Sequence, residues 1–178
     1  MKRGYFMSVI LAFHSTLGCN AQPRTINRTT VSSVDLKRYM GRWYEIARFD
    51  HSFERHLECC MAYYEQMPDG KISVTNSGIS TKNGQHKISV GRAKMGKHPG
   101  QLRVSFFWFF YSDYNILALG DEYEWALIGS HSPKYLWILS RTPHISKETK
   151  STILNIARSR GYDIEHLIWV RQESDIKQ

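Results

Sequence analysis

The feature that most constrains this chain is a succession of eight short segments rich in β-branched and aromatic residues, separated by turn-forming residues. The turns at 68–70, 83–84 and 98–100 each contain a residue that adopts a positive φ or fixes φ in advance, as tight hairpins require. The predicted strands span residues 42–49, 58–66, 71–77, 86–95, 101–108, 114–119, 123–130 and 134–141. Eight strands in hairpin order predict an all-β chain whose antiparallel sheet closes into an up-and-down barrel.

The pattern becomes helical after the eighth segment. Ser146 is a suitable N-cap, Glu148 favours a first helical turn, and Gly161 is a suitable stop. An apolar stripe at helical spacing lies between them, made of Ile153, Leu154, Ile156 and Ala157. We therefore predict one C-terminal α-helix packed outside the barrel, followed by a short strand over residues 166–171.

The N-terminus is typical of an export signal. The apolar run 5–13 is shorter than the roughly 20 residues that cross a bilayer, so residues 1–18 are predicted to be a removable signal peptide. Gly18-Cys19 resembles the end of a bacterial lipoprotein signal, which predicts acylation of Cys19. Ordinary cleavage after Ala21 is the alternative.

The remaining boundaries follow from composition and length. Residues 19–33 are polar without an apolar period, which predicts a tether. We expect a single barrel domain over residues 34–173 and a short tail over 174–178, because 178 residues suit one domain.

Charge and cysteine content exclude several classes of function. Removing Lys2 and Arg3 with the signal lowers the formal charge from +8 to +6, and the other basic residues are scattered among acidic ones. Nucleic acid is therefore not an expected partner, whereas weak attraction to anionic lipid is. Cys59 and Cys60 are sequence neighbours and unsuited to joining distant segments. No spaced His or Cys set predicts a metal site, and no cofactor is expected.

Alternation along the strands indicates which side chains face inward. Leu102, Val104, Phe106 and Trp108 share one face of the fifth strand. Ala62 and Val74 are small, which would leave space inside the barrel. The strand 134–141 is apolar on both faces, so its orientation stays open, and a packed core without ligand is an equal alternative at this point.

Residues 106–111 are six aromatic residues in a row. An alternating strand cannot direct all of them inward, so we expect an apolar rim or exposed patch. Such a patch suits a lipid, a membrane surface or a second subunit.

Three motifs in this order resemble those of the lipocalin family. Residues 41–44 match GxWY, residues 121–123 resemble TDY with Gly120 in place of threonine, and Arg141 stands where the third motif has its arginine. The segments GRWYEIARFDHSFER and YLWILSRTPHIS are similar to bacterial outer-membrane lipocalins and their apolipoprotein D-like relatives. The motif residues with an expected structural role are Gly41, Trp43, Tyr44, Asp121, Tyr123 and Arg141.

The resemblance implies a calyx closed at one end by Trp43 packed under Arg141. Such a cation–π contact contributes roughly 0.5–2 kcal/mol. It also implies that the loops 50–57 and 109–113 lie at the open mouth, with the aromatic run at its rim. The implied ligand-lining residues are Ala62, Tyr64, Val74, Asn76, Leu102, Val104, Phe106, Tyr135 and Trp137.

The implied function is binding, storage or transport of a fatty acid or lysophospholipid, without catalysis. The implied location is the bacterial outer membrane, with the protein anchored through Cys19 and facing the periplasm. An enzyme that uses Cys60 is one alternative, and a structural envelope protein without ligand is another. A homodimer through the aromatic run is compatible with each. Glu45 shares a face with Trp43, and we expect a satisfied core carboxylate there in preference to a ligand contact.

Overall fold

The computed structural model describes residues 25–107 and 109–176, and in them the predicted eight-stranded barrel is confirmed. The strands are β1 Gly41–Phe49, β2 Leu57–Gln66, β3 Ile72–Ser80, β4 His86–Met95, β5 Gln101–Phe107, β6 Phe110–Leu119, β7 Trp125–Gly129 and β8 Leu136–Ser140. Each strand pairs antiparallel with the next, and β8 pairs with β1. The ring closes where Gly41 to Tyr44 of β1 pair with Tyr64 to Met61 of β2.

One predicted loop is wrong. We expected a loop over 109–113, but β6 already begins at Phe110. The cross-strand pair Phe107 and Phe110 leaves two residues between β5 and β6, and of these Trp108, which was predicted to face inward, lies outside the described residues. The period-two pattern could not mark this turn, because the residues on both sides of it are aromatic and the turn contains no glycine or proline.

The predicted helix is confirmed as α2, Lys147–Ser159, which Ser146 caps by accepting from the Thr149 amide. A short helix α1 at Leu36–Tyr39 precedes the barrel, and α3 at Glu173–Ile176 occupies most of the predicted tail. The ninth strand β9, Leu167–Trp169, pairs with the second half of β1. Within the described residues, no helix has both the length and the apolarity needed to cross a bilayer.

Two apolar clusters explain why β7 and β8 are buried on both faces. Outside the barrel, Leu127 and Ile138 pack with Ile153 and Ala157 of α2. Inside it, residues such as Ile128 and Leu139 pack with the other strands. The ambiguous eighth strand therefore directs Trp137 and Leu139 inward, as the resemblance implied.

The two ends of the barrel differ. We call one end the floor, where β1 begins and the connections 67–71, 96–100 and 120–124 lie. We call the other the mouth; its connections are 50–56, 81–85, 108–109 and 130–135. The contrast matters because only the floor is sealed by packed side chains.

Arg141 seals the floor. Its guanidinium carbon lies 3.8 Å from the centre of the Trp43 ring, which confirms the expected contact. The guanidinium nitrogens also donate to four main-chain carbonyls, those of Arg38, Tyr39, Arg42 and Tyr123. One side chain thus connects α1, β1 and the connection before β7.

The other motif residues support this arrangement. Gly41 has a φ of +90°, a conformation that disfavours any side chain. The Tyr123 hydroxyl accepts from the Asp35 amide at 2.8 Å, and the Asp121 carbonyl accepts from Arg38. Tyr44 packs outward on the cluster under α2.

The N-terminal segment differs from expectation. Of the predicted tether over 19–33, only residues 25–33 are described, and they lie against the barrel. The Val31 amide donates to Ile116, the Asn27 amide donates to Arg160, and the Arg160 side chain donates to the Thr29 carbonyl. A segment without apolar periodicity can still dock through its backbone, which is why composition missed it. Cys19 and the predicted signal 1–18 lie outside the described residues.

We predict that Arg141→Lys destabilises the fold by about 1–3 kcal/mol, because an ammonium group cannot both stack on the indole and reach four carbonyls. Urea unfolding followed by circular dichroism measures the change. Arg92→Lys, on an exposed position of β4, is the matched control and is expected to stay within about 0.5 kcal/mol of the parent. Equal unfolding midpoints for both variants would contradict this role of Arg141.

Candidate functional site

The candidate site is the interior of the barrel between the floor and the mouth. Tyr64, Val74 and Leu102 belong to the buried inner cluster. Ala62, Val104, Phe106 and Trp137 pack against that cluster and are half-buried. Asn76 pairs with Ala62 and so shares its face, and the Tyr135 ring stacks on Trp137 with a centroid distance of 5.8 Å. All nine predicted lining residues thus lie in the barrel or at its mouth, and their contact with a ligand remains a prediction.

Packing inside the barrel loosens from floor to mouth. Trp43, Ile72 and Ile116 near the floor are essentially inaccessible to solvent. Further from the floor along β3 and β5, the inward-facing Asn76, Val104 and Phe106 are only half-buried. The strands therefore enclose a container that is full at one end and open at the other.

Gly91 is a lining residue that the sequence analysis missed. A Cβ at this position would lie 2.6 Å from the Ser105 carbonyl oxygen and 2.7 Å from the Phe106 ring. The absence of a side chain allows the Phe106 ring to lie against β4 inside the barrel. The signal was an isolated glycine within a strand, which often marks such a close approach.

Three tyrosine hydroxyls meet inside the barrel near the floor. The Tyr39 and Tyr114 oxygens are 2.6 Å apart, and the Tyr64 hydroxyl donates to Tyr114 at 3.1 Å. Burial raises the pKa of all three phenols, so they are neutral at physiological pH. Three neutral hydroxyls carry three protons, and the two hydrogen bonds among them use two.

A buried Arg–Glu pair lies on the wall formed by β1. The Arg48 guanidinium donates to a Glu45 carboxyl oxygen at 2.6 Å, and both side chains are almost fully buried. The Glu45 side chain therefore has a protein partner, as expected for a satisfied core group. Burial, followed by the nearby Glu54 carboxylate, raises the pKa of Glu45 to about 8 despite the opposing effect of Arg48.

The connection 50–56 folds over one side of the mouth. The Glu54 carboxylate accepts from the Trp137 indole at 3.0 Å and lies 2.9 Å from His51 Nε2. The His51 ring stacks on Phe53 with centroids 3.9 Å apart. The Arg48 guanidinium donates to the Glu54 carbonyl, which ties this cover to the barrel wall. The sequence showed polar loop residues here and gave no sign of their burial.

The Cys60 sulfur lies beside Gly78 inside the barrel, and both Cys59 and Cys60 are free thiols. The Cys60 sulfur lies 4.0 Å from a guanidinium nitrogen of Arg48. Burial, with the Glu45 carboxylate second, outweighs that cation and raises the Cys60 pKa. The sulfur is therefore a thiol at neutral pH, which is the weak form of this nucleophile.

The aromatic run divides between the two sides of the wall. Phe106 packs inward, whereas Phe107, Phe109 and Phe110 are exposed at the mouth. The expectation of an apolar rim is confirmed for these residues. Among the described residues, no group of three or more His, Cys, Asp or Glu side chains is arranged to hold a metal ion.

Comparison with known proteins agrees with this geometry. The family model of the lipocalin-like domain matches residues 34–172. The outer membrane lipoprotein Blc of Escherichia coli K12 is 44% identical over 158 residues, which cover 88% of this chain and 89% of the relative. Blc of Citrobacter freundii is 42% identical over 168 residues, covering 93% and 95%.

More distant relatives share the same scaffold. Mouse apolipoprotein D is 33% identical over 148 residues, covering 76% of this chain and 75% of the relative. The solved structure of insecticyanin from the tobacco hornworm Manduca sexta matches with a TM-score of 0.69 at 23% identity, covering 84% of this chain and 87% of that one. At 23% identity, the similarity to insecticyanin supports the fold and nothing further.

We predict that stability falls as the pH rises from about 4.5 to about 8 and that Glu45→Gln removes much of this slope. The folded state keeps a proton on Glu45 up to about pH 8, whereas the unfolded chain loses it near 4.5. Urea midpoints measured across this pH range for both proteins test the expectation. Glu58→Gln, which alters an ion pair with the exposed Arg171 side chain, is the control. Parallel slopes for parent and Glu45→Gln would refute it.

Proposed function

This chain belongs to the lipocalin family, and we propose that its barrel binds and carries a single-chain lipid, a fatty acid or a lysophospholipid. Family membership supports the coarser statement, binding or transport of a small hydrophobic ligand. The observation that carries the proposal is the gradient of packing, because half-buried apolar side chains such as Val104, Phe106 and Trp137 surround the open half of the barrel. An eight-stranded barrel has room for one small ligand.

Polar groups inside the barrel favour an amphiphilic ligand over a pure hydrocarbon. The Asn76 side-chain oxygen is buried and has no hydrogen-bond partner among the described residues. The tyrosine cluster retains one proton that its internal hydrogen bonds do not use. Unsatisfied polar atoms in an apolar surrounding cost free energy, which a polar ligand group or bound water would recover.

We place the protein at the outer membrane, anchored through an acylated Cys19 and facing the periplasm. The Escherichia coli and Citrobacter freundii relatives are named outer membrane lipoproteins. Gly18-Cys19 in this chain resembles a lipoprotein signal. Mass spectrometry of the chain purified from membranes tests the anchor, since acylation adds a defined mass to the N-terminal cysteine.

A catalytic role for Cys60 receives less support. Its raised pKa disfavours the thiolate, and the nearest charged group, Arg48, is already paired with Glu45. A lipid-modifying activity that is lost in Cys60→Ser, with lipid binding unchanged, would instead favour an enzyme that uses Cys60.

We predict that Ala62→Trp weakens binding of a fluorescent fatty acid by about tenfold or more, because an indole would fill space next to Asn76 and Tyr64. Tyr63→Trp is the matched control, since Tyr63 is the next residue of β2 and its side chain is half exposed on the outer face. Fluorescence titration of the delipidated chain measures affinity, and thermal unfolding shows that each variant is folded.

The outcomes of this experiment separate the alternatives. Equal affinities of the two variants would mean that the ligand does not occupy the barrel. If the parent chain binds neither fatty acid nor lysophospholipid, a structural role without ligand becomes the better interpretation. Native mass spectrometry of the protein as isolated identifies the lipid that it carries.

A further inference from the structure

Two hairpins, β3–β4 and β5–β6, expose apolar side chains at the mouth. We call their outer surface the hairpin face and define it as residues 81–94 and 103–113, which extend from the mouth toward the floor. Phe107 and Phe110 are 75% and 83% exposed, and Ile88 and Val90 on β4 are 70% and 65% exposed. Isolated exposed apolar residues are ordinary, but a contiguous group of this size marks an interaction surface.

The edge of β4 adds to this surface. The ladder between β4 and β5 runs from Arg92 opposite Ser105 to Met95 opposite Leu102, all toward the floor. Residues 86–91 pair with β3 but, within the described residues, not with β5. The exposed Ile88 and Val90 therefore lie beside a strand edge that opens toward the aromatic tip of β5–β6.

The hairpin face is also strongly basic. Arg92, Lys94 and Arg103 lie on its outer side, Lys82 lies in the turn before β4, and its one carboxylate is Asp113. Asp113 is paired with Arg103 at 3.1 Å, so the three other cations have no acidic residue within the face to neutralise them. Residues scattered in the sequence are thus brought to one side of the barrel by the fold.

The opposite side of the mouth has a different character. In the connection 50–56, Arg55 is paired with Asp50 and the Glu54 carboxylate is engaged by Trp137. The His51 ring packs on Phe53, whose side chain is itself 61% exposed. Exposed apolar residues together with unneutralised cations therefore occur on the hairpin side of the mouth.

We propose that the hairpin face docks this protein on an anionic lipid bilayer, with the phenylalanine rings at the acyl boundary and the lysines among the headgroup phosphates. Aromatic side chains favour the membrane interface, and each lysine or arginine near an anionic surface contributes about fivefold to binding. Docking goes beyond the proposed function, because it does not depend on which ligand occupies the barrel.

A second copy of the chain fits this surface less well. A twofold interface brings the same patch of each subunit together, so the basic residues of one hairpin face would meet those of the other. Like charges brought together oppose association. A bilayer of anionic lipid supplies both an apolar layer and the opposite charge.

The path of the N-terminal segment is consistent with docking at the mouth. Thr25 lies beside Gly161, just after α2, and the next residue, Tyr162, packs against Phe49 at the mouth end of β1. The residues between Thr25 and Cys19 span at most about 20 Å when extended. An acyl chain on Cys19 would therefore be within reach of a bilayer at the mouth.

Site-specific labelling of the full chain tests the proposal. A fluorophore is attached to Phe110→Cys at the mouth or to Met67→Cys, the matched exposed position at the floor. Every chain in this test also carries Cys19→Ser, so that no acyl anchor holds it on the vesicles, and the chain with this substitution alone measures background from the buried Cys59 and Cys60. The vesicles are phosphatidylcholine with or without phosphatidylglycerol, and they carry nitroxide-labelled acyl chains that quench a nearby fluorophore.

We expect quenching at position 110 and not at position 67, and only in vesicles that contain phosphatidylglycerol. Lys82→Glu combined with Arg92→Glu should weaken docking about tenfold or more, and added salt should act in the same direction. An unquenched label at 110, or equal quenching at both positions, overturns the proposal. A label at 110 that is already shielded in buffer, in a particle of twice the monomer mass, assigns the face to a second copy and also overturns it.

Discussion

The contact between Arg141 and Trp43 is the interaction on which the rest of the structure depends. An antiparallel ring of eight strands has no inherent end wall, and here the wall is a guanidinium stacked at 3.8 Å on an indole and bonded to four carbonyls. Because this contact gathers α1, β1 and the turn before β7 at one end, the other end can stay loosely packed. The side-chain contacts that close the barrel are therefore concentrated at the floor, opposite the mouth.

The polar groups inside the barrel follow from the same division. Near the floor the three tyrosine hydroxyls use two of their protons in hydrogen bonds to one another, and on the β1 wall Arg48 pairs with Glu45. Further from the floor the Asn76 oxygen has no partner among the described residues. Polar atoms left partly unsatisfied in this way are expected of a container that a ligand or water completes.

Much of this fold was predictable from local pattern. The eight strands, the capped helix and the direction of Trp137 follow from periodicity and three short motifs, since alternation reports which face is buried. The covering loop was not predictable, because the burial of Glu54 depends on a hydrogen bond from an indole more than eighty residues away. The tight turn before Phe110 was missed for a different reason, since aromatic residues on both sides of it obscure the alternation. Long-range polar contacts and turns without glycine leave little trace in a single sequence.

The incomplete ladder between β4 and β5 has a mechanical consequence. A closed barrel can widen only if hydrogen bonds between two neighbouring strands are broken. Between β4 and β5, pairing is already missing for residues 86–91 among the described residues. A thicker ligand of the proposed kind would therefore require β4 and β5 to separate further, beginning at the mouth, the end opposite the Arg141 contact.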